Sequence, residues 1–224
     1  MDRFVDAFLN QRVIDKYLPD ILWGMVVTIE VAAAVVVTGI LGGLLLAALR
    51  SFRIRALNVL IVLMVDVFRS LPPLVMILIA YFGLPNVGLS LSGFTVLWLV
   101  LSLVLAAFAE EIFWSGILSI RKGQWEAARS TGLNFVQTLA WVILPQAIRM
   151  TVPPLTNRTI AITKNTALGA VIGVPEILMQ AQTAQSFSGN ATPLLLGSIA
   201  YILLFIPVVA VGRWLETRFA WGRA

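Results

Sequence analysis

The chain has 224 residues, 59% of them hydrophobic and only 12% charged, whereas an ordinary soluble domain carries about 25% charged residues. So few charges cannot cover a globular surface, and a mean hydropathy of +0.94 points to an integral membrane protein with little mass outside the bilayer. With no His and no Cys, structural zinc, haem ligation, thiol nucleophiles and disulfides are excluded. No Gly-Lys pair is present, so the chain lacks the phosphate-cradling G-x-x-x-x-G-K-[ST] loop and does not hydrolyse ATP that way.

In chain order, Asp2, Asp6, Asp15 and Asp20 interrupt the N-terminus, which argues against a cleavable signal. Five apolar stretches follow, each long enough to cross a bilayer. The fold class expected is therefore all-α: one polytopic transmembrane domain, 1–224, with five membrane helices. The first span is about 21–49 and ends at Arg50, Arg53 and Arg55. The second, about 56–82, contains Asp66, Arg69 and the pair Pro72-Pro73, and an uncharged loop follows it. The third is about 94–118, apolar except for Glu110 and Glu111. A polar stretch, 119–150, is the one extended segment outside the membrane. The fourth span, about 151–179, is the most polar, and 180–192 reads as an uncharged loop. The fifth, about 193–212, precedes a basic tail.

Lys and Arg distribution sets the orientation. One side collects Arg50, Arg53 and Arg55, then Arg121, Lys122, Arg129 and Arg149, then Arg213, Arg218 and Arg223; the other has Arg3, Arg12 and Lys16. The first group belongs in the cytoplasm, so the N-terminus is expected outside and the C-terminus inside. The basic excess records this orientation rather than nucleic-acid binding, since basic and aromatic residues are not interleaved on a soluble face.

Charges inside a bilayer are costly and face protein or water. Asp66 and Arg69 stand three apart, sharing a helical face on which they can pair. Glu110 and Glu111 are adjacent and point about 100° apart; one serves packing or the pathway, the other lies nearer the boundary. In the fourth span Arg158 and Asn165 are seven apart, two turns along one face, where a guanidinium and an amide can hold a carboxylate. Arg158, Asn165, Thr166 and Glu111 form the candidate substrate-facing set. Pro153-Pro154, Gly169, Gly173 and Pro175 favour a bent or interrupted helix that exposes backbone groups to a cavity. No metal site is expected.

Within 119–150, QWEAARST reads as a short helix ended by Gly132, the residue suited to a left-handed cap. Asn134 can cap a second helix that runs to Pro145. Here the chain resembles a known family. Glu126-Ala127-Ala128, then Gly132, then Leu144-Pro145 are similar to the EAA loop of ABC importer permeases. Lys122-Gly123-Gln124-Trp125, Phe68-Arg69-Ser70-Leu71-Pro72, Tyr81-Phe82-Gly83-Leu84-Pro85 and Glu111-Ile112-Phe113 resemble the polar amino-acid branch.

The resemblance implies the permease subunit of an ATP-driven importer in a bacterial inner membrane. This subunit would pair with itself or with a paralogue. Two ATP-binding cassette ATPase subunits, which carry the ATP and Mg, would bind Glu126, Ala127, Ala128, Gly132, Leu144 and Pro145 from the cytoplasm. An external substrate-binding protein would deliver an amino acid. No cofactor is implied for this chain. Trp114 stands where relatives usually have Arg, so one common charge of the third span is missing; Arg158 and Asn165 stand where many relatives have acids, which weighs against basic substrates. The competing reading is a secondary amino-acid transporter or channel without an ATPase. An enzyme using Glu110 and Glu111 is remote, because paired carboxylate chemistry needs two groups separated around a substrate.

Overall fold

The computed structural model describes residues 6–219; Asp2, Arg3 and Arg223 of the charge reading lie outside them. Among the described residues there is no strand. The helices are α1 (Gln11–Arg50), α2 (Arg55–Ser70), α3 (Pro73–Gly83), α4 (Gly93–Ser119), α5 (Lys122–Ser130), α6 (Phe135–Thr138), α7 (Leu144–Thr163), α8 (Ile177–Ser188) and α9 (Thr192–Phe219). A π turn, Leu139–Ile143, joins α6 to α7, and a 3-10 stretch, Lys164–Ile172, continues α7. Four helical stretches are long and apolar enough to cross a membrane: Asp6–Arg50, Gly93–Ser119, Phe135–Ile172 and Thr192–Phe219. The bent pair Arg55–Ser70 and Pro73–Val87 is a fifth if counted as one broken span.

That break corrects the reading of 56–82 as one helix. The two halves meet at 101° because Pro72 and Pro73 lack the N–H groups that would continue the ladder. The residue before Pro72 is forced out of the helical region: Leu71 has φ −88° and ψ 136°. Pro73 then becomes the first residue of α3, a position where its missing donor is harmless. The polar stretch also differs from expectation. Its second helix does not stop at Pro145 but runs on through Pro153-Pro154 to Ile172. The π turn before Pro145 widens the backbone where the ring would otherwise strike the carbonyl four residues back. The interruption falls instead at Lys164, where the α-helix tightens, and at Gly173, whose φ is +77°. Residues 177–188 form α8 rather than the end of a span and a loop.

Contacts divide the chain into two compact units of interleaved segments. Among the described residues, one comprises 6–35, 72–101 and 162–210; the other comprises 36–71, 102–161 and 211–219. The first is cored by Ile21, Ile177 and Ala200, with Tyr201 and Leu204 packed against them. The second has a core running from Ala47 and Ala109 through Phe113 and Ile117 to Leu139, Ile143 and Ala147. A smaller cluster of Ile61, Val65 and Ala107 lies beside α2. In this second unit α1 and α4 meet with almost no space between them. A Cβ on Gly43 would sit 2.5 Å from the Ala109 Cβ and 2.8 Å from the Ala106 carbonyl oxygen, so small residues set how closely the backbones approach.

Candidate functional site

In the second unit arginines from α1, α2 and α7 converge on α4. Glu110, wholly buried, accepts from Arg50 Nη1 at 3.0 and 3.3 Å, and the Arg50 guanidinium also lies 4.7 Å from the Trp114 ring centroid. Glu111 faces elsewhere and pairs with Arg69, which ends α2. The ion pair that Arg69 makes is thus with Glu111 on α4 and not with Asp66, as helical spacing predicts. Asp66 is exposed and lines a groove with Arg50, Arg53 and Arg55 instead. Two carboxylates adjacent in sequence, pointing apart on their helix, tie down two different helix ends.

Phe108, one turn before these glutamates, is a site residue that the sequence reading missed. Arg69 stands over its ring at 5.3 Å and Arg158, from α7, at 3.8 Å from the centroid. The structure therefore brings Glu111 and Arg158 of the predicted set together with Arg69, around one aromatic ring. Among the described residues the ion pairs are Arg50–Glu110, Arg69–Glu111 and Lys122–Glu126, so Arg158 belongs to none of them. A ring face holds a guanidinium by cation–π attraction and leaves its in-plane N–H donors available for an anion. Glu111 also lines a cavity of about 360 Å³ with Gly116, Met150, Thr151 and Pro154, within the range of small-molecule sites.

Asn165 and Thr166 belong to the first unit, in the 3-10 stretch. Thr166 is fully buried and its hydroxyl donates to the Thr163 carbonyl at 2.9 Å, a bond that shapes the tightened turn. Asn165 is half-buried. The same unit holds a second missed residue. Glu176 caps α8, accepting from Met179 N–H at 2.8 Å and from the Tyr201 hydroxyl at 2.5 Å, with no exposed surface. Little in the sequence marks it, since Glu is not among the favoured N-cap residues and the helix that follows is rich in glutamine.

The 122–145 segment has the geometry of a rigid knob. Gly132 adopts φ +89° and a Cβ there would touch nothing within 4 Å, so its requirement is purely conformational. Asn134 caps α6 reciprocally with Gln137, each side chain meeting the other's backbone N–H at 2.9 Å. Trp125 stacks on Phe135 at 5.7 Å between centroids, and Phe135 meets Phe52 edge-on at 5.3 Å. Ala128 is buried, while Glu126 and Ala127 are exposed. Leu144 is half-buried and Pro145 exposed, both in the first turn of α7.

Residues 39–221 match the family described as binding-protein-dependent transport system inner membrane component. The chain is 36% identical to the probable glutamine ABC transporter permease protein GlnP of Bacillus subtilis (strain 168), covering 88% of this chain and 93% of that one. It is 30% identical to the arginine transport system permease protein ArtQ of the same organism, covering 90% and 93%. A crystal structure of an amino acid ABC transporter with histidines aligns with a TM-score of 0.82 at 30% identity, covering 92% of this chain and 96% of that one.

Proposed function

Because the chain belongs to the family of binding-protein-dependent inner membrane transport components, and is the permease subunit of an ABC importer, we propose that it carries polar amino acids, acidic or neutral ones ahead of basic ones. The observation that carries this reading is the convergence of Arg69 and Arg158 on Phe108 beside a single carboxylate, Glu111. Every amino acid brings a carboxylate and an ammonium. Two guanidiniums against one acid leave a surplus positive charge for a further carboxylate or an amide oxygen, and Arg grips a carboxylate with two parallel hydrogen bonds. A lysine or arginine side chain would meet like charge instead. In this reading Arg158 and Glu111 are the substrate-facing residues of the second unit, and in the first unit Thr166 shapes the tightened turn that carries Asn165.

The 122–145 knob is the docking element for the ATPase subunits, which alone bind ATP and Mg. Glu126 and Ala127 offer the contact surface, Ala128 and Gly132 set the helix geometry, and Leu144-Pro145 begin the helix that returns to the membrane. A second permease chain completes the pathway, and a binding protein delivers substrate from outside. The N-terminus lies outside and the C-terminus in the cytoplasm, on the Lys and Arg distribution.

Arg158→Glu tests the substrate reading in reconstituted vesicles. Uptake of glutamate or aspartate is expected to fall at least tenfold, with tolerance of arginine or lysine gained. Unchanged uptake and selectivity would return Arg158 to a purely structural role.

A further inference from the structure

The turn between α1 and α2 holds a residue in an unfavourable conformation. Among the described residues Arg53 alone of the non-glycines has positive φ, +58°. A side chain held there is strained, and such strain concentrates where a residue serves a ligand. Arg53 lines a groove of about 590 Å³ whose other cations are Lys122 and Arg129. Lys122, Trp125 and Arg129 are spaced three and four apart on α5, so they share one helix face; Glu126, four residues from Lys122, borders that face, and Ala127 lies off it. No acidic residue lines the groove. The nearest carboxylate in sequence is Glu126, 3.1 Å from Lys122 in an exposed pair. The floor is apolar: Leu118, 60% exposed, belongs to it, and the Trp114 and Trp125 rings flank it.

From this arrangement we propose that the groove binds the phosphate of an anionic phospholipid, with an acyl chain lying over Leu118. The groove sits where α1 ends, α4 ends and α5 begins, the level at which spanning helices meet headgroups, and Trp rings favour that boundary. Basic pockets at that depth attract anionic headgroups. An inorganic phosphate would satisfy the cations but leave the apolar floor uncovered, whereas a lipid meets both. The bound lipid would join the α1–α2 turn to α5, making the anchoring of the docking helix depend on membrane charge.

The test is native mass spectrometry of the purified full-length chain, titrated with phosphatidylglycerol or phosphatidylcholine, in wild type and in the double variant Arg53→Gly with Arg129→Gln. Glycine keeps the left-handed backbone at position 53, so the first substitution removes the guanidinium without distorting the turn. Phosphatidylglycerol is expected to be retained at least tenfold better than phosphatidylcholine, with that preference lost in the variant. Retention is expected to survive excess inorganic phosphate. Equal retention of the two lipids, or a preference unchanged by the variant, would overturn the proposal. Displacement by inorganic phosphate would assign the groove to free anions. If the variant, co-expressed with the ATPase subunits, fails to co-purify with them while keeping its lipid preference, the groove belongs to a protein partner and the proposal is overturned.

Discussion

Adjacent glutamates on one helix do separate work in this protein. Glu110 is fully buried against Arg50, and removing one member of a buried pair leaves an uncompensated charge, at a cost of about 3–5 kcal/mol. Glu111 is half exposed with Arg69, where the same change costs little, about 1 kcal/mol or less. Glu110→Ala is therefore expected to lower the thermal midpoint of the detergent-purified protein strongly. Glu111→Ala is expected to change it little while reducing uptake, and comparable melting losses for both would contradict this division. Position 43 gives a second contrast. Gly43→Ala drives a Cβ into the backbone of α4, whereas Gly42→Ala meets the Ala106 Cβ at an ordinary 3.4 Å. Overpacking of the first kind costs about 1–3 kcal/mol, so only Gly43→Ala should depress the melting temperature. The sequence showed which charges stand inside the membrane, but not which pair. Helical spacing favoured Asp66 with Arg69, and the partner from α4 was invisible because contacts between helices far apart in the chain leave no periodic trace.

At the scale of elements, the 122–145 segment was the most legible part of the chain. Its punctuation is local: Gly132 supplies the left-handed residue and Asn134 with Gln137 the reciprocal cap. Local chemistry of this kind can be read from neighbouring letters. Asn134→Ala should cost about 1 kcal/mol by losing the cap. Gly132→Asp should do more, forcing a side chain into φ +89° and misdirecting the helix that follows. The expected result for Gly132→Asp is a chain that inserts normally, yet loses ATPase subunits on co-purification and ceases transport; normal co-purification and transport would show that the knob is not the coupling element. Proline was less legible. Pro72 and Pro73 break their span, while Pro145, Pro153 and Pro154 lie inside helical structure. At Pro145 a π turn widens the preceding backbone, whereas Pro153 and Pro154 lie within continuous α-helix, and a single residue type does not encode which outcome occurs.

For the whole molecule, composition alone specified the membrane class, and the apolar runs specified an all-α fold with four or five candidate crossings. The boundaries of the fourth stretch were misjudged because its polar residues resemble a loop, and α8 was hidden in a glutamine-rich segment with little hydrophobic contrast. Topology is directly testable, since the chain has no native Cys. Single cysteines near Asn86 and Gly189 should label only from outside, and those near Gly123 and Arg218 only from inside. Labelling of Gly189 and Arg218 positions from one side would remove the last crossing.

The central claim, an ATP-driven amino-acid permease that favours acidic or neutral substrates, is tested most directly by uptake into proteoliposomes. These would contain this permease with its ATPase subunits and binding protein. Glutamate, aspartate, glutamine, arginine and lysine would each be offered with and without internal ATP. ATP-dependent accumulation of the first three, exceeding that of arginine and lysine by at least tenfold, is the predicted result. Accumulation without ATP, or arginine and lysine carried as well as glutamate, would contradict it.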